Sequence, residues 1–127
     1  MSRIRSKNTS IDLKMREILT LMGVDFTMYP KMYGNPDFVV GKERVAIFCD
    51  GDFWHGYRYY ENKRLSKKFW RDKIELNMKR DKKIRRKLRY EGWSVLQFWE
   101  HDIKRKPEKC ISKIRRKAGK KSRSFPL

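Results

Sequence analysis

Between Thr9 and Gly23 the apolar residues Ile11, Met15, Ile18, Leu19 and Met22 recur at three- and four-residue intervals, which is the spacing of one helix face. Thr9 can cap the start, Asp12 three residues later makes an approximate capping box, and Gly23 ends the pattern. Residues 25–29 are short and β-leaning, closed by Pro30, and Tyr33-Gly34-Asn35-Pro36 reads as a turn. Residues 37–40 and 44–49, rich in Val, Ile and Phe and separated by Gly41-Lys42-Glu43, predict two strands of a hairpin. From 66 to 89, Phe69, Trp70, Ile74, Met78, Ile84 and Leu88 keep helical spacing among basic residues, predicting one long amphipathic helix ended by Gly92. Residues 93–99 alternate as a further strand, and Pro107 is placed to open a last helix carrying Cys110, Ile111 and Ile114. The order predicts an α/β domain: one mixed β-sheet flanked by helices over residues 1–116, with a basic arm in front and a flexible basic tail over 117–127.

At 127 residues there is material for one domain, and 39% hydrophobic residues suffice for a core despite an equal charged fraction. The longest apolar run, Val45 to Cys49, is far below the roughly 18 residues of a membrane span. Two cysteines, Cys49 and Cys110, make no CxxC pair and so exclude a four-cysteine metal site. Neither membrane insertion nor secretion is expected, and a cytoplasmic, nucleoid-associated protein fits.

Charge sharpens the picture. The net charge of +19 is segregated: residues 1–62 hold 9 basic and 8 acidic residues, whereas residues 63–127 hold 25 and 7. A polyanion relieves the self-repulsion of such a chain, and nucleic acid is the natural partner. The carboxylates lie elsewhere. Asp37 opens one predicted strand, Asp50 and Asp52 follow the next, and His55 stands three residues on, so strand pairing is expected to gather them at one sheet end. Hard oxygen donors suit Mg²⁺, and a neutral imidazole beside it can accept a proton. Taken singly, Asp37 and Asp50 are equally good turn residues, and a lone His is more often a satisfied side chain than a catalyst. The adjacent Phe53 and Trp54 point opposite ways on extended backbone, which favours exposure of one, and an exposed aromatic pair in a DNA-binding protein can wedge between base steps.

Gly34-Asn-Pro-Asp37, Val45-Ala-Ile-Phe-Cys-Asp-Gly51, Phe53-Trp-His55, Phe69-Trp-Arg-Asp-Lys-Ile74, Asn77 with Arg80-Asp81, and Gly92-Trp-Ser-Val-Leu96 before Trp99-Glu100 resemble, in order and spacing, the very-short-patch repair (Vsr) endonucleases over about residues 1–103. The resemblance implies a restriction-endonuclease-like fold of the PD-(D/E)xK superfamily, Phe48-Cys49-Asp50 standing where the superfamily has Glu-x-Lys. It implies a Mg²⁺-dependent enzyme, with Mn²⁺ as a substitute, that nicks duplex DNA 5′ of the thymine in a T:G mismatch and acts as a monomer. Asp37 and the backbone carbonyl of Cys49 would hold the metal, His55 would be the general base, Asp12 would support the histidine, and Asp50 would lie beside the site. Phe53, Trp54 and Met1 would enter the DNA, Trp70 would line the site, and Arg3, Arg5 and Lys7 of the arm would bind DNA. Family members hold a structural zinc through cysteines and a histidine. Asp52, Tyr57, Tyr59 and His101 stand at the matching positions here, so a zinc-free version is expected. Two alternatives stay open: a non-catalytic basic binder of nucleic acid, and a nuclease of the same fold acting on a different lesion.

Overall fold

The computed structural model describes residues 9–42, 44–52, 55–59 and 67–118. Helix α1 (Ser10–Met22) is followed by strands β1 (Phe26–Met28), β2 (Phe38–Val40) and β3 (Val45–Asp50). The long α2 (Lys68–Tyr90), strand β4 (Ser94–Trp99), the short α3 (Glu100–Arg105) and α4 (Pro107–Ala118) follow in the described residues. Thr9 caps α1 by accepting the Asp12 N–H, and Gly23 at φ 73° closes it in the left-handed conformation that glycine adopts without penalty.

The four strands form one sheet in the order β1-β2-β3-β4. The first two pairings are antiparallel and β3-β4 is parallel, so the sheet is mixed as expected, with α2 providing the crossover that a parallel pair requires. All six residues of β3 are buried, and the first five form an unbroken apolar run rather than an alternation because both faces are covered. On one face Val45, Ile47 and Cys49 pack with Phe38, Val40 and Phe98 against Met15, Ile18 and Leu19 of α1, Ile103 of α3 and Cys110 and Ile114 of α4. On the other, Ala46 and Phe48 meet Ile84 and Leu88 of α2. The turn before β2 is pressed onto α2: Gly34 has φ 85°, and a Cβ there would lie 2.5 Å from Ile84 Cγ2, so a side chain has no room.

Two details differ from the sequence expectation. The stretch after β4 turns at once into α3, six residues with no side-chain cap at Trp99 and therefore little sequence signal. Helix α4 runs through Lys117 to the buried Ala118, so the domain extends past residue 116.

Candidate active site

Burying a charged group is costly unless it is paired or ligates a cation, so the buried polar residues locate the chemistry. Among the described residues they are four aspartates: Asp12, Asp37, Asp50 and Asp81. They fall into two clusters, one on each face of β3 at its C-terminal end.

The first cluster lies on the α1 face. Asp37 directly precedes β2, and the antiparallel register that pairs Phe38 with Ile47 sets it beside the end of β3. The Asp37 N–H donates to the Ile47 carbonyl at 2.9 Å, and Asp37 Oδ2 accepts from the Cys49 N–H at 2.6 Å, so the residue is held through its main chain and through one carboxylate oxygen. Asp12, on the first turn of α1, accepts from the Tyr29 hydroxyl at 2.6 Å. One oxygen from each of Asp12 and Asp37 and the thiol of Cys49 all lie within 4.8 Å of one another. Burial pushes the Cys49 thiol well above its usual range, aided by the Asp37 charge. A neutral thiol is a poor partner for a hard ion, so the cluster offers a cation two carboxylates.

The second cluster lies on the α2 face. Asp50 follows Cys49 and therefore points the opposite way. It is fully buried, and its Oδ2 accepts from Arg85 Nη2 at 2.5 Å and from Gln97 Nε2 at 2.8 Å. His55 Nδ1 lies 2.6 Å from Asp81 Oδ2, and His55 Nε2 lies 3.8 Å from Asp50 Oδ1. Arg85, one helical turn beyond Asp81, lies 3.7 Å from that carboxylate too and spans both aspartates. A carboxylate accepts hydrogen bonds, so this contact favours the tautomer with the proton on Nδ1 and the lone pair on Nε2.

Of the residues singled out from sequence, Asp37 and Asp12 meet on one side of β3, and Asp50 and His55 on the other. Asp12 was expected to support the histidine. It bonds Tyr29 and faces Asp37, while the partner of His55 Nδ1 is the Asp81 carboxylate on α2. Asp52 leaves the carboxylate group altogether and pairs with His101. Trp70 is on the first turn of α2, edge-on to Phe69 at 4.9 Å. Met1, Arg3, Arg5, Lys7, Phe53 and Trp54 lie outside the described residues. Sequence reasoning missed Asp81 and Arg85 as site residues. A signal existed: Asp81 occupies the buried stripe of α2 with Ile74, Ile84 and Leu88, where a charge is out of place.

Comparison with known proteins decides the family. The family model of the DNA mismatch endonuclease Vsr matches residues 1–61. The type II nicking enzyme V.NmeDIP of Neisseria meningitidis serogroup C is 34% identical over 91% of this chain and 80% of its own length. The chain belongs to the Vsr family of DNA mismatch endonucleases. Other relatives agree: V.HpaIIP of Haemophilus parainfluenzae is 36% identical over 88% of this chain and 82% of its own length. The DNA mismatch endonuclease Vsr of Escherichia coli K12 is 36% identical over 79% of this chain and 66% of its own length. Among solved structures, the catalytic domain of the homing endonuclease I-Bth0305I superposes with a TM-score of 0.54 at 22% identity, covering 86% of this chain and 93% of that one. The fold is thus restriction-endonuclease-like, and the two clusters of this Vsr-family chain lie at the C-terminal end of its central strand.

Proposed function

We propose that this Vsr-family chain nicks one strand of duplex DNA at a T:G or related mismatch, using Mg²⁺ and His55 as general base. The observation that carries the reading is the burial of four aspartates at one end of β3 in a chain of net charge +19. A pure polyanion binder gains nothing from negative charge held against a phosphate, whereas a metal-dependent nuclease needs it.

The donors fit a hard divalent ion: Asp37 and Asp12 offer carboxylate oxygens, and the Cys49 main-chain carbonyl stands as a further neutral oxygen donor. When bound, such an ion offsets negative charge on the scissile phosphate and makes attacking water more acidic. The Cys49 and Ile47 main-chain groups hold Asp37 in place before substrate arrives. His55 takes the proton through Nε2, Asp81 orients its ring and stabilises the imidazolium, and Arg85 balances Asp50 so that the added charge is borne. Phe53 and Trp54 wedge beside the mismatch, Met1 and Trp70 complete the contact, and Arg3, Arg5 and Lys7 bind phosphate. The enzyme acts as a monomer, and no structural zinc is held by Asp52, Tyr57, Tyr59 and His101.

The test is nicking of end-labelled duplexes carrying each mismatch in Mg²⁺ or Mn²⁺, beside binding to the same duplexes. Asp37→Asn removes charge without changing shape and is expected to abolish nicking while binding persists. His55→Ala is expected to lose on the order of 10²- to 10⁴-fold in rate. Full activity of Asp37→Asn would refute the metal mechanism. Nicking of a matched duplex as fast as any mismatch would refute the substrate.

A further inference from the structure

Among the described residues 51–52 and 55–59, the backbone around His55 is held by short-range turn bonds, with no strand pairing. His55 N–H donates to the Gly51 carbonyl at 3.3 Å, Tyr57 N–H to Asp52 at 3.0 Å, and Tyr59 N–H to Gly56 at 2.9 Å. Gly56, next to the histidine, has φ 81°, and a Cβ there would meet Met78 Sδ at 2.5 Å, so the turn lies flush against α2. Local bonds of this kind leave a turn free to open, and general-base chemistry does not tolerate a misplaced imidazole.

A separate set of contacts ties the same turn to the junction of β4 and α3, about fifty residues away in sequence. His101 Nδ1 lies 3.1 Å from both Asp52 carboxylate oxygens, and His101 Nε2 lies 3.6 Å from Asp102 Oδ1. The Tyr57 ring stacks on the His101 ring with centroids 4.2 Å apart and touches Trp99 at 5.2 Å. The Asp52 N–H donates to Glu100 Oε1 at 3.3 Å, and Lys104 holds the other Glu100 oxygen at 2.9 Å, which keeps the Glu100 carboxyl below its usual range. On the α2 side the Tyr59 hydroxyl donates to Glu75 at 2.5 Å. Asp52 and Tyr57 flank His55 in sequence, so the tie brackets it.

We propose that Asp52, His101 and Tyr57 form a clasp that positions His55 for proton transfer, with His101 and Tyr57 as positioning residues. The proposal rests on the reading of His55 as the base. Asp81 sets the ring from α2, and the clasp fixes the backbone from the opposite side. Both partners of the Asp52–His101 contact remain partly open to water, Asp52 with 33% and His101 with 27% of the side chain exposed. Such a pair adds little to global stability, so its effect belongs to the rate rather than to folding.

The experiment measures nicking at saturating mismatched duplex with Mg²⁺, duplex affinity, and thermal melting for the unsubstituted protein and for His101→Ala, His101→Asn, Tyr57→Leu and His55→Ala. A displacement of about 1 Å in a catalytic group costs on the order of 10²-fold, so His101→Ala is expected to slow nicking by that order with affinity and melting nearly unchanged. His101→Asn, whose amide can donate to Asp52, is expected to recover most of the rate. Tyr57→Leu alters a ring already 39% exposed, so it folds, and is expected to lose rate in the same direction. Wild-type rates in His101→Ala and Tyr57→Leu, with His55→Ala inactive, overturn the clasp and leave the base reading standing. A fully active His55→Ala overturns both. Parallel loss of rate, affinity and melting temperature in His101→Ala, without rescue by His101→Asn, reduces the pair to a structural contact and also overturns the proposal.

Discussion

Arg85→Met is the perturbation that most directly probes the polar layer beneath His55. The Asp50 side chain is fully buried, and its Oδ2 takes a 2.5 Å bond from Arg85 Nη2. Met keeps the stem that packs under the guanidinium, whose carbon lies 5.7 Å from the Phe48 ring centre, but removes the charge. The Gln97 amide at 2.8 Å and the His55 ring at 3.8 Å stay beside Asp50 in the variant. Breaking a buried pair by deleting one partner costs about 3–5 kcal/mol, because the other charge stays behind uncompensated. For a chain of this size, a loss of that order lowers Tm by roughly 10–20 °C. Urea unfolding followed by tryptophan fluorescence, without DNA, measures it, with an unchanged m value as the check on two-state behaviour. The double variant Asp50→Asn with Arg85→Met carries its own control: Asn still accepts from Gln97 and has no charge to strand, so the pair of changes is expected to cost at least about 1.5 kcal/mol less than Arg85→Met alone. A loss below about 1 kcal/mol for Arg85→Met, or a double variant no more stable than the single one, would refute the account of this layer as a balanced charge network.

Binding under non-cleaving conditions is expected to weaken steeply with salt. Replacing the exposed Lys82, Lys83 and Arg86 of α2 with Gln should lower the slope of log affinity on log salt by up to about 3, and an unchanged slope removes α2 from the phosphate grip. The Phe53→Ala, Trp54→Ala double variant is expected to lose preference for a T:G duplex over a matched one in gel binding; retained preference rules out the wedge. Burial pushes the Cys110 thiol up to about 11. A raised folded-state pKa gives stability that is complete below the unfolded thiol's pKa and lost as pH rises through the folded value. Unfolding free energy should therefore fall more steeply between pH 9 and 11 in the parent than in Cys110→Ala, and equal slopes would contradict this.

The elements were legible where local chemistry decides them. Thr9 and Gly23 delimit α1 by capping, the apolar stripe from Ile74 to Leu88 marks α2, and the five-residue run of β3 announces a strand covered on both faces. What escaped was set by tertiary pairing. Asp81 meets His55 across 26 positions and Asp52 meets His101 across 49, and no local pattern encodes a partner at such a distance. Helix α3 escaped for a different reason: six residues following a strand without a capping side chain or a breaker give no periodicity to read. Asp12 looked like a capping-box residue, and half of that holds, since its N–H bonds Thr9. Its side chain is recruited by Tyr29 instead, a residue on the far side of β1 that only the sheet brings near.

The site depends on the two-residue period of β3. Cys49 and Asp50 are adjacent, yet alternation sends them to opposite faces, so the strand's last two residues separate a carboxylate cluster from a histidine cluster within one peptide unit. The charge arrangements of the two differ accordingly. On the α2 face Asp50 and Asp81 have a guanidinium between them, so adding a proton to His55 creates no uncompensated charge. On the α1 face Asp37 accepts from a main-chain N–H and Asp12 from a phenol, and these neutral donors fix the geometry of the two carboxylates. A register slip of one residue against β4, where Cys49 pairs with Phe98 and Asp50 with Trp99, would exchange the two environments, placing Asp50 beside Asp37 without Arg85 and burying three carboxylates together. The apolar positions of β3 that hold this register on both faces are therefore as much a condition of the chemistry as the aspartates at its end.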